Sequence, residues 1–171
     1  SIVLVDVEGP SNTSAATLAV TRVAAPPPCG PATVSLNATM QQCDGGMGFD
    51  FVPSGGAGSA GQLVARNSST GGRVCVGVAG TNPSTGAPNV AAVPCTAGDT
   101  SQLWTLGAGS ITNSGSGACL DIPGQNSALG TRVETWSCNG GSNQQWTYAA
   151  AGSGWLVSGL NGACLALCAQ G

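Results

Sequence analysis

The stretch "CLDIPGQNSALGTRVETWSCNGGSNQQWTY" (119–148) decides the fold, because its opening and closing parts recur elsewhere in the chain. Its first residue, Cys119, belongs to the sequence Gly-Ala-Cys-Leu, and the same four-residue sequence contains Cys164. An apolar residue precedes each of these two cysteines by eight positions, and a looser copy surrounds Cys75. The cysteines Cys75, Cys119 and Cys164 are 44 and 45 residues apart, which indicates an internal repeat of that length.

The closing part of the stretch recurs as well. It runs from a cysteine through a polar turn to Gln-x-Trp over 138–146, and the same order occurs over 95–104. A degenerate version over 43–51 ends on Phe instead of Trp. The chain therefore contains a half repeat, two full repeats and a half repeat, which sum to three.

The composition favours short strands joined by turns. The chain has 28 Gly and 10 Pro, and no apolar pattern of helical period persists for three turns. Repeats of this size cannot bury their apolar faces alone, and three of them close around a pseudo-three-fold axis as an all-β fold, the β-trefoil. We predict that the repeat-equivalent aromatics Phe51, Trp104 and Trp146 pack together near that axis.

The charge content excludes several functions. Only 6% of the residues are charged, the net charge is −3, and the chain has neither Lys nor His. It therefore lacks the basic surface that nucleic acid requires, the commonest metal ligand and the commonest general base. No apolar run is long enough to span a bilayer. We predict no cofactor, no metal and no partner among nucleic acids or membranes.

Eight cysteines in a chain of this size predict disulfides and an oxidising, extracellular compartment. A zinc site is the rival interpretation, but no Cys-x-x-Cys pair occurs. Three Asn-x-Ser/Thr sequons, at Asn12, Asn37 and Asn67, agree with a secreted glycoprotein. The chain begins at Ser1 and not at Met, which leaves open a processed chain or a fragment.

The 119–148 stretch closely resembles the ricin B-type lectin repeat, with its Cys-Leu-Asp, its Trp-x-Cys and its Gln-x-Trp. The resemblance is strong over 107–148, fair over 61–106, and weak but in register over 38–52 and 153–171. It implies a β-trefoil lectin domain over 31–171 that starts and ends in the middle of a repeat. Residues 1–30 lie outside it, and we predict that they form an N-terminal strand and a Pro-rich linker.

The same resemblance implies a disulfide pattern. Within a family repeat the first cysteine pairs with one about 20 residues on, which predicts Cys75–Cys95 and Cys119–Cys138. If the two half repeats meet and complete the third lobe, Cys43–Cys164 follows, and Cys29–Cys168 remains. If the chain instead stops in mid-repeat, Cys29–Cys43 and Cys164–Cys168 are the alternative. We expect closure.

The resemblance also implies one sugar site, in the 107–148 repeat. In the family, the Asp of Cys-x-Asp and an Asn before Gln-x-Trp bind sugar hydroxyls, and an aromatic two residues before the second cysteine stacks on the ring. Here these are Asp121, Asn143 and Trp136, with Gln144 as support and Glu134 as a further acceptor. Each of the three main residues also has a purely structural interpretation, as a turn residue or as a cross-strand aromatic.

The other two lobes lack these groups. In 61–106 the corresponding residues are Gly77, Val93 and Ser101, and in the lobe made of the two half repeats they are Ala166, Gln41 and Gly48. We therefore expect neither lobe to bind sugar in this manner. Trp155 is assigned to packing.

Three functions remain open at this stage. The first is a secreted lectin module for galactose or N-acetylgalactosamine, with xylan as a further ligand. The second is the C-terminal, non-catalytic module of a glycoside hydrolase, because a strand over 1–10 fits the end of a preceding domain and none of the seven acids has a catalytic context. The third is an extracellular structural or adhesive glycoprotein. In each case we predict that this chain is not itself an enzyme.

Overall fold

The computed structural model describes residues 36–43, 47–56, 58–66 and 72–168, and within them the protein is all-β. Its strands are β1 (Asn37–Gln41), β2 (Phe49–Pro53), β3 (Gly61–Ala65), β4 (Val74–Thr81), β5 (Pro88–Pro94), β6 (Leu103–Leu106), β7 (Ile111–Asn113), β8 (Cys119–Asp121), β9 (Glu134–Trp136), β10 (Trp146–Ala149), β11 (Trp155–Ser158) and β12 (Cys164–Cys168). Short 3₁₀ turns occupy Thr100–Gln102, Pro123–Gln125 and Ser142–Gln144. None of the described helical segments has the length and apolar character needed to cross a bilayer.

The strands form three lobes of four, as a β-trefoil requires. The first lobe contains β3 to β6, the second lobe contains β7 to β10, and the split lobe contains β11, β12, β1 and β2. In each lobe the two middle strands form an antiparallel pair: β4 with β5, β8 with β9, and β12 with β1. The outer strands pair between neighbouring lobes, as β2 does with β3, β6 with β7, and β10 with β11.

The two half repeats meet and complete the split lobe, as the sequence predicts. Strand β1 pairs with β12 over its whole length, from Asn37 opposite Cys168 to Gln41 opposite Cys164. The pairing is antiparallel, although the two strands are far apart along the chain. It brings the first described strand beside the last one.

Three predicted disulfides are formed: Cys75–Cys95, Cys119–Cys138 and Cys43–Cys164. The third bond joins the two half repeats, and its existence rules out the alternative pairs Cys29–Cys43 and Cys164–Cys168. Cys168 is disulfide-bonded, whereas its predicted partner Cys29 lies outside the described residues.

The predicted N-terminal strand and linker also lie outside the described residues, together with the sequons at Asn12 and Asn67. The third sequon residue, Asn37, begins β1, and its Oδ1 accepts a hydrogen bond of 2.9 Å from Asn89 Nδ2.

One predicted core residue is wrong. Trp104 and Trp146 are buried, but the third aromatic of this layer is Phe49, which is fully buried, whereas Phe51 is half-buried. Phe49, like the tryptophans, lies near the start of its strand, opposite the end of the partner strand. Phe49 follows Cys43 by six positions, whereas Trp146 follows Cys138 by eight, so counting eight positions leads to Phe51.

Phe51 belongs to a second, more exposed layer. It corresponds to Leu106 and Tyr148, which also follow their core aromatics by two residues and pack half-buried against the core. The Phe51 and Tyr148 rings meet edge to face, with centroids 6.4 Å apart. Because side chains alternate along a strand, residues two apart point to the same face of the sheet. Phe51 therefore lies on the same face as Phe49, closer to the surface.

The core tryptophans connect the outer strands to the middle strands of their lobes. Trp146 Nε1 donates to the Leu120 carbonyl at 3.0 Å, and Trp104 Nε1 donates to the Val76 carbonyl at 2.8 Å. Leu120 and Val76 each follow the first cysteine of their lobe. The Trp146 bond therefore anchors β8 immediately before Asp121, and that anchoring positions the candidate site.

Candidate functional site

The candidate site is an open cleft of about 630 Å³ beside strands β8 and β9 of the second lobe. Its wall consists of Thr85, Asp121, Pro123, Gly124, Gln125, Glu134, Trp136, Asn139, Gly141 and Asn143. The cleft thus brings together four of the five predicted site residues. The fifth, Gln144, lies directly behind them.

Asp121 is the central acid of the cleft. It ends β8, only 4% of it is exposed, and its Oδ2 accepts hydrogen bonds of 2.8 Å from Asn143 Nδ2 and from Gln144 Nε2. Its Oδ1 has no hydrogen-bond partner among the described residues. Burial raises the pKa of Asp121, a hydrogen bond from Gln144 opposes that rise, and the nearby Glu134 adds to it.

Gln144 fixes the floor of the site. Its Nε2 donates to the Ser137 carbonyl at 3.0 Å, and its Oε1 accepts from the Asn139 amide at 2.8 Å. Every polar group of this buried amide is therefore engaged within the protein. Gln144 consequently holds Asp121 in place and is not available to a ligand.

Asn143 presents an acceptor to the cleft. Its Nδ2 donates to Asp121 Oδ2 and, at 3.1 Å, to the Ile122 carbonyl, which uses both amide hydrogens. Its Oδ1 accepts no hydrogen bond from the described residues. A group that binds at Asn143 must therefore be a donor.

Glu134 lies opposite Asp121 in the β8–β9 pair and is also almost fully buried. Its Oε2 accepts from Asn82 Nδ2 at 2.7 Å and from the Thr85 hydroxyl. Both donors belong to the β4–β5 connection of the first lobe, so the neighbouring lobe completes this side of the cleft.

Asn82 and Thr85 were not among the residues predicted from the sequence. Their segment, "TNPSTGAP" (81–88), has only the residue types of a turn. The repeat pattern relates equivalent positions, but it carries no information on which loop of one lobe reaches across to the next.

Trp136 is the aromatic surface of the site. It ends β9 opposite Cys119, and 49% of it is exposed, more than of any other large apolar side chain described. Trp146, ten residues on, is 3% exposed. The two tryptophans of the opening stretch thus differ as predicted, one at the surface and the other in the core.

The strand register identifies the equivalent positions in the first lobe. Gly77 takes the place of Asp121, and Val93, opposite Cys75, takes the place of Trp136. A Cβ on Gly77 would lie 2.6 Å from a Val93 methyl, so the side chain of Val93 fills the space of a carboxylate. Gln102 keeps the supporting role of Gln144, since it donates to the Pro94 carbonyl at 3.0 Å and accepts from the Thr96 amide at 2.9 Å.

In the split lobe, Ala166 takes the place of Asp121, and Gln41 takes that of Trp136. The predicted equivalence of Gly48 with Asn143 is wrong. That equivalence counts back three positions from Phe51, whereas the core aromatic is Phe49. The same count from Phe49 gives Gly46, which lies outside the described residues.

The cleft therefore offers unpartnered carboxylate and amide oxygens beside an exposed indole. Within the described ranges, no group of three His, Cys, Asp or Glu side chains is placed to hold a metal ion. Oxygen acceptors next to an aromatic face suit a ligand with hydroxyl groups on its edge and C–H groups on one side.

Comparison with known protein families places this cleft in a domain of known type. The family model of the ricin-type β-trefoil lectin domain matches residues 59–171. The chain belongs to this family. A ricin-type lectin domain is a non-catalytic module that binds glycans, so this chain contains a carbohydrate-binding domain.

Solved structures similar to this ricin-type lectin domain include designed and natural proteins. One is the designed three-fold symmetric protein ThreeFoil, with 24% identity, a TM-score of 0.44, and coverage of 57% of this chain and 83% of that one. Another is the PSL1a–E64 complex, with 15% identity, a TM-score of 0.47, and coverage of 74% and 45%.

A third is the Polyporus squamosus lectin bound to a human-type influenza-binding epitope, Neu5Acα2-6Galβ1-4GlcNAc, with 15% identity, a TM-score of 0.40, and coverage of 81% and 46%. The chain spans less than half the length of this lectin and of the PSL1a protein.

Proposed function

We propose that this chain is a secreted lectin module with one competent sugar site, in the second lobe, of the galactose type. The observation that carries the proposal is the convergence of the free Asp121 Oδ1 and the exposed Trp136 indole on one cleft. The lectin domain would extend over 31–171, with 1–30 as an N-terminal strand and a Pro-rich linker.

In this proposal Asp121 is the principal acceptor. Its Oδ2 is already occupied by Asn143 and Gln144, which leaves Oδ1 for a sugar hydroxyl. A hydrogen bond to a charged oxygen is about twice as strong as one between neutral groups. The amides that hold Oδ2 prevent the carboxylate from rotating away, so the ligand does not have to order it.

Asn143 and Glu134 extend the acceptor set on either side. Asn143 Oδ1 is free, and the Oε1 of Glu134 has no partner among the described residues, whereas its Oε2 is held by the first lobe. Neighbouring hydroxyls of one ring can therefore donate to separate oxygens. Gln144 acts on the ligand only through Asp121.

Trp136 provides the surface on which the ring lies. In galactose the axial O4 points to one side of the ring, and the C–H groups of C3, C4 and C5 form a continuous apolar patch on the other. An indole that is half exposed before binding covers that patch without any rearrangement of the fold. Galactose and N-acetylgalactosamine share this patch. Xylose lacks C6 and is the alternative ligand to be tested.

A shallow cleft with one aromatic surface gives weak binding, with a Kd near 1 mM or about −4 kcal/mol. One site per chain cannot cross-link cells or glycans, so the module would direct an attached domain or a larger assembly to its target. The disulfides agree with secretion, since such bonds persist in oxidising compartments.

The test is a titration of ¹⁵N-labelled protein with methyl β-galactoside and, separately, methyl β-xyloside, followed by NMR. The expected result is saturable shifts at the backbone of Asp121 and Glu134, the side-chain amide of Asn143 and the indole N–H of Trp136. The preferred sugar gives the lower Kd. Shifts confined to the first or the split lobe, or none at all, would contradict the proposal.

A further inference from the structure

A second cleft, of about 430 Å³, adjoins the first one. The two share Thr85, Pro123 and Gly124, so they form one groove along the boundary between the first and second lobes. The wall of the second cleft also contains Asn82, Ser84, Asn126, Thr131 and Arg132. The groove is thus longer than one sugar ring needs, and its second half is lined by polar groups.

The boundary between the two clefts has an unusual backbone. Gly124 and Gln125 have φ values of 61° and 55°, and Gln125 is the only non-glycine residue with positive φ in the described part of the chain. A left-handed conformation costs a residue with a side chain about 1–2 kcal/mol. The turn is held by the bond of 3.1 Å from the Asn126 amide to the Pro123 carbonyl. Backbone strain of this kind concentrates at functional sites.

Arg132 supplies the only charge in the wall of the second cleft. It is half-buried, and its guanidinium has no hydrogen-bond or ion-pair partner among the described residues. Arg66, by contrast, pairs with Asp50 at 2.7 Å. Two further donors of the cleft, Asn126 Nδ2 and the Ser84 hydroxyl, are also without partners in the described structure. An unpaired cation with neutral donors suits an anion.

We propose that the second cleft is a subsite for the next sugar unit of a glycan, and that this unit carries an anionic group that pairs with Arg132. The inference rests on the proposed function, because the first unit must lie on Trp136. The shared chemistry of the anion is a carboxylate or a sulfate, either of which accepts from a guanidinium fork.

The charges of the groove determine on which unit the anion lies. The first cleft contains the carboxylates of Asp121 and Glu134, which repel an anionic group placed there. The second cleft contains Arg132 and no acid. The groove therefore selects a neutral first unit followed by an acidic second unit, and it disfavours the reverse order.

The test measures the affinity of four probes at low ionic strength: methyl β-galactoside, lactose, lactobionate, and lactose sulfated on its glucose unit. Lactobionate and the sulfated lactose keep a neutral galactose and place a carboxylate or a sulfate on the second unit. They are expected to bind about two- to fivefold more tightly than lactose, as one partly exposed ion pair allows. The gain should shrink in high salt. A larger gain for one acid identifies the preferred anion.

The matched variants are Arg132→Gln and Arg73→Gln, the latter exposed and outside both clefts. Arg132→Gln should abolish the gain and leave methyl β-galactoside binding unchanged, whereas Arg73→Gln should keep the gain. In the wild type, NMR shifts at Thr131 and Arg132 should appear with the acidic probes only.

If the galactoside binds but the acidic probes gain nothing, or if Arg132→Gln keeps the gain, the second subsite is wrong and the first site stands. If no probe binds the folded wild type, both proposals fail.

Discussion

Asp121 and Glu134 face each other across the β8–β9 pair, and both are almost fully buried, at 4% and 2% exposure. Each has one oxygen engaged by neutral donors and one oxygen without a partner among the described residues. Burial raises the pKa of Asp121, and the nearby Glu134 adds to that rise. The cleft thus keeps strong acceptors at some expense in stability, as functional sites often do.

The first prediction concerns pH. Burial and the neighbouring Glu134 raise the pKa of Asp121, so protonation of this acceptor should weaken sugar binding at a higher pH than it would for an aspartate with its ordinary pKa. The effect of pH on stability is in the opposite direction to its effect on binding. The folded state holds the proton more tightly than the unfolded state, so this group's contribution to the free energy of unfolding decreases as pH rises through its pKa.

Asp121→Asn is the matching variant, since the amide has the same size and no charge. It should weaken binding at least about tenfold at neutral pH, as expected for loss of a charge-assisted bond of 1.5–3 kcal/mol, and it should not lower the Tm there. Kd and Tm are measured from pH 4 to 8 for both proteins. Galactose binding that is constant across this range, or a strongly destabilised variant, would contradict the assignment.

The second prediction compares two buried glutamines, Gln144 and Gln102, of which only the first supports the sugar site. Gln144 and Gln102 are equivalent, both are buried, and both join the residues around the second cysteine of their lobe. Replacing either by Ala leaves buried polar groups without partners and should cost about 1–3 kcal/mol of unfolding free energy. Only Gln144→Ala should also weaken sugar binding, because of these two glutamines it is Gln144 that donates to Asp121. Equal binding by both variants would show that the carboxylate needs no such support.

The third prediction tests the core of the split lobe. Phe49 is fully buried, and Phe51 is half-buried on the same strand. Phe49→Ala should lower the unfolding free energy by about 3–5 kcal/mol, as truncation of a core aromatic does, and Phe51→Ala should cost clearly less. Denaturant unfolding of the two variants gives the comparison. The reverse order would restore Phe51 as the core residue.

The fourth prediction concerns the bond between the half repeats. Cys43–Cys164 closes a sequence separation of 121, against 19 for Cys119–Cys138. In the chain-entropy model its removal should cost about 4–5 kcal/mol, more than the roughly 3 kcal/mol for the short loop. Unfolding of the two paired Cys→Ala variants tests this order, and non-reducing peptide mapping should recover the 43–164 link. A link of Cys43 to Cys29 would contradict closure of the lobe.

Much of the fold could be predicted from the sequence because the repeat relates distant positions. The Gly-Ala-Cys-Leu copies determine where Cys119 and Cys164 lie in their lobes, and from them follow the pairing of β12 with β1 and the bond to Cys43. The positions of Val93 and Gln41 opposite their cysteines follow in the same way.

The sequence predictions that were wrong or incomplete have two physical causes. Phe49 follows its cysteine by fewer positions than Trp104 and Trp146 follow theirs, so a count from the cysteine gives Phe51 and Gly48, each two residues too far along the chain. The contacts of Asn82 and Thr85 with Glu134 cross between lobes, and a repeat describes only what each lobe shares with the others. Likewise, that Arg132 has no partner among the described residues depends on its three-dimensional neighbours, and no local pattern indicates it.

The most direct test of the account is the affinity for galactose of the wild type, Trp136→Phe and Trp136→Ala. All three should fold alike, because Trp136 is 49% exposed. The wild type should bind galactose saturably, and Trp136→Phe should retain most of the affinity. Trp136→Ala should bind about tenfold more weakly or worse, as expected for the lost apolar contact. Unchanged binding by Trp136→Ala, or no binding by the folded wild type, would contradict the sugar site.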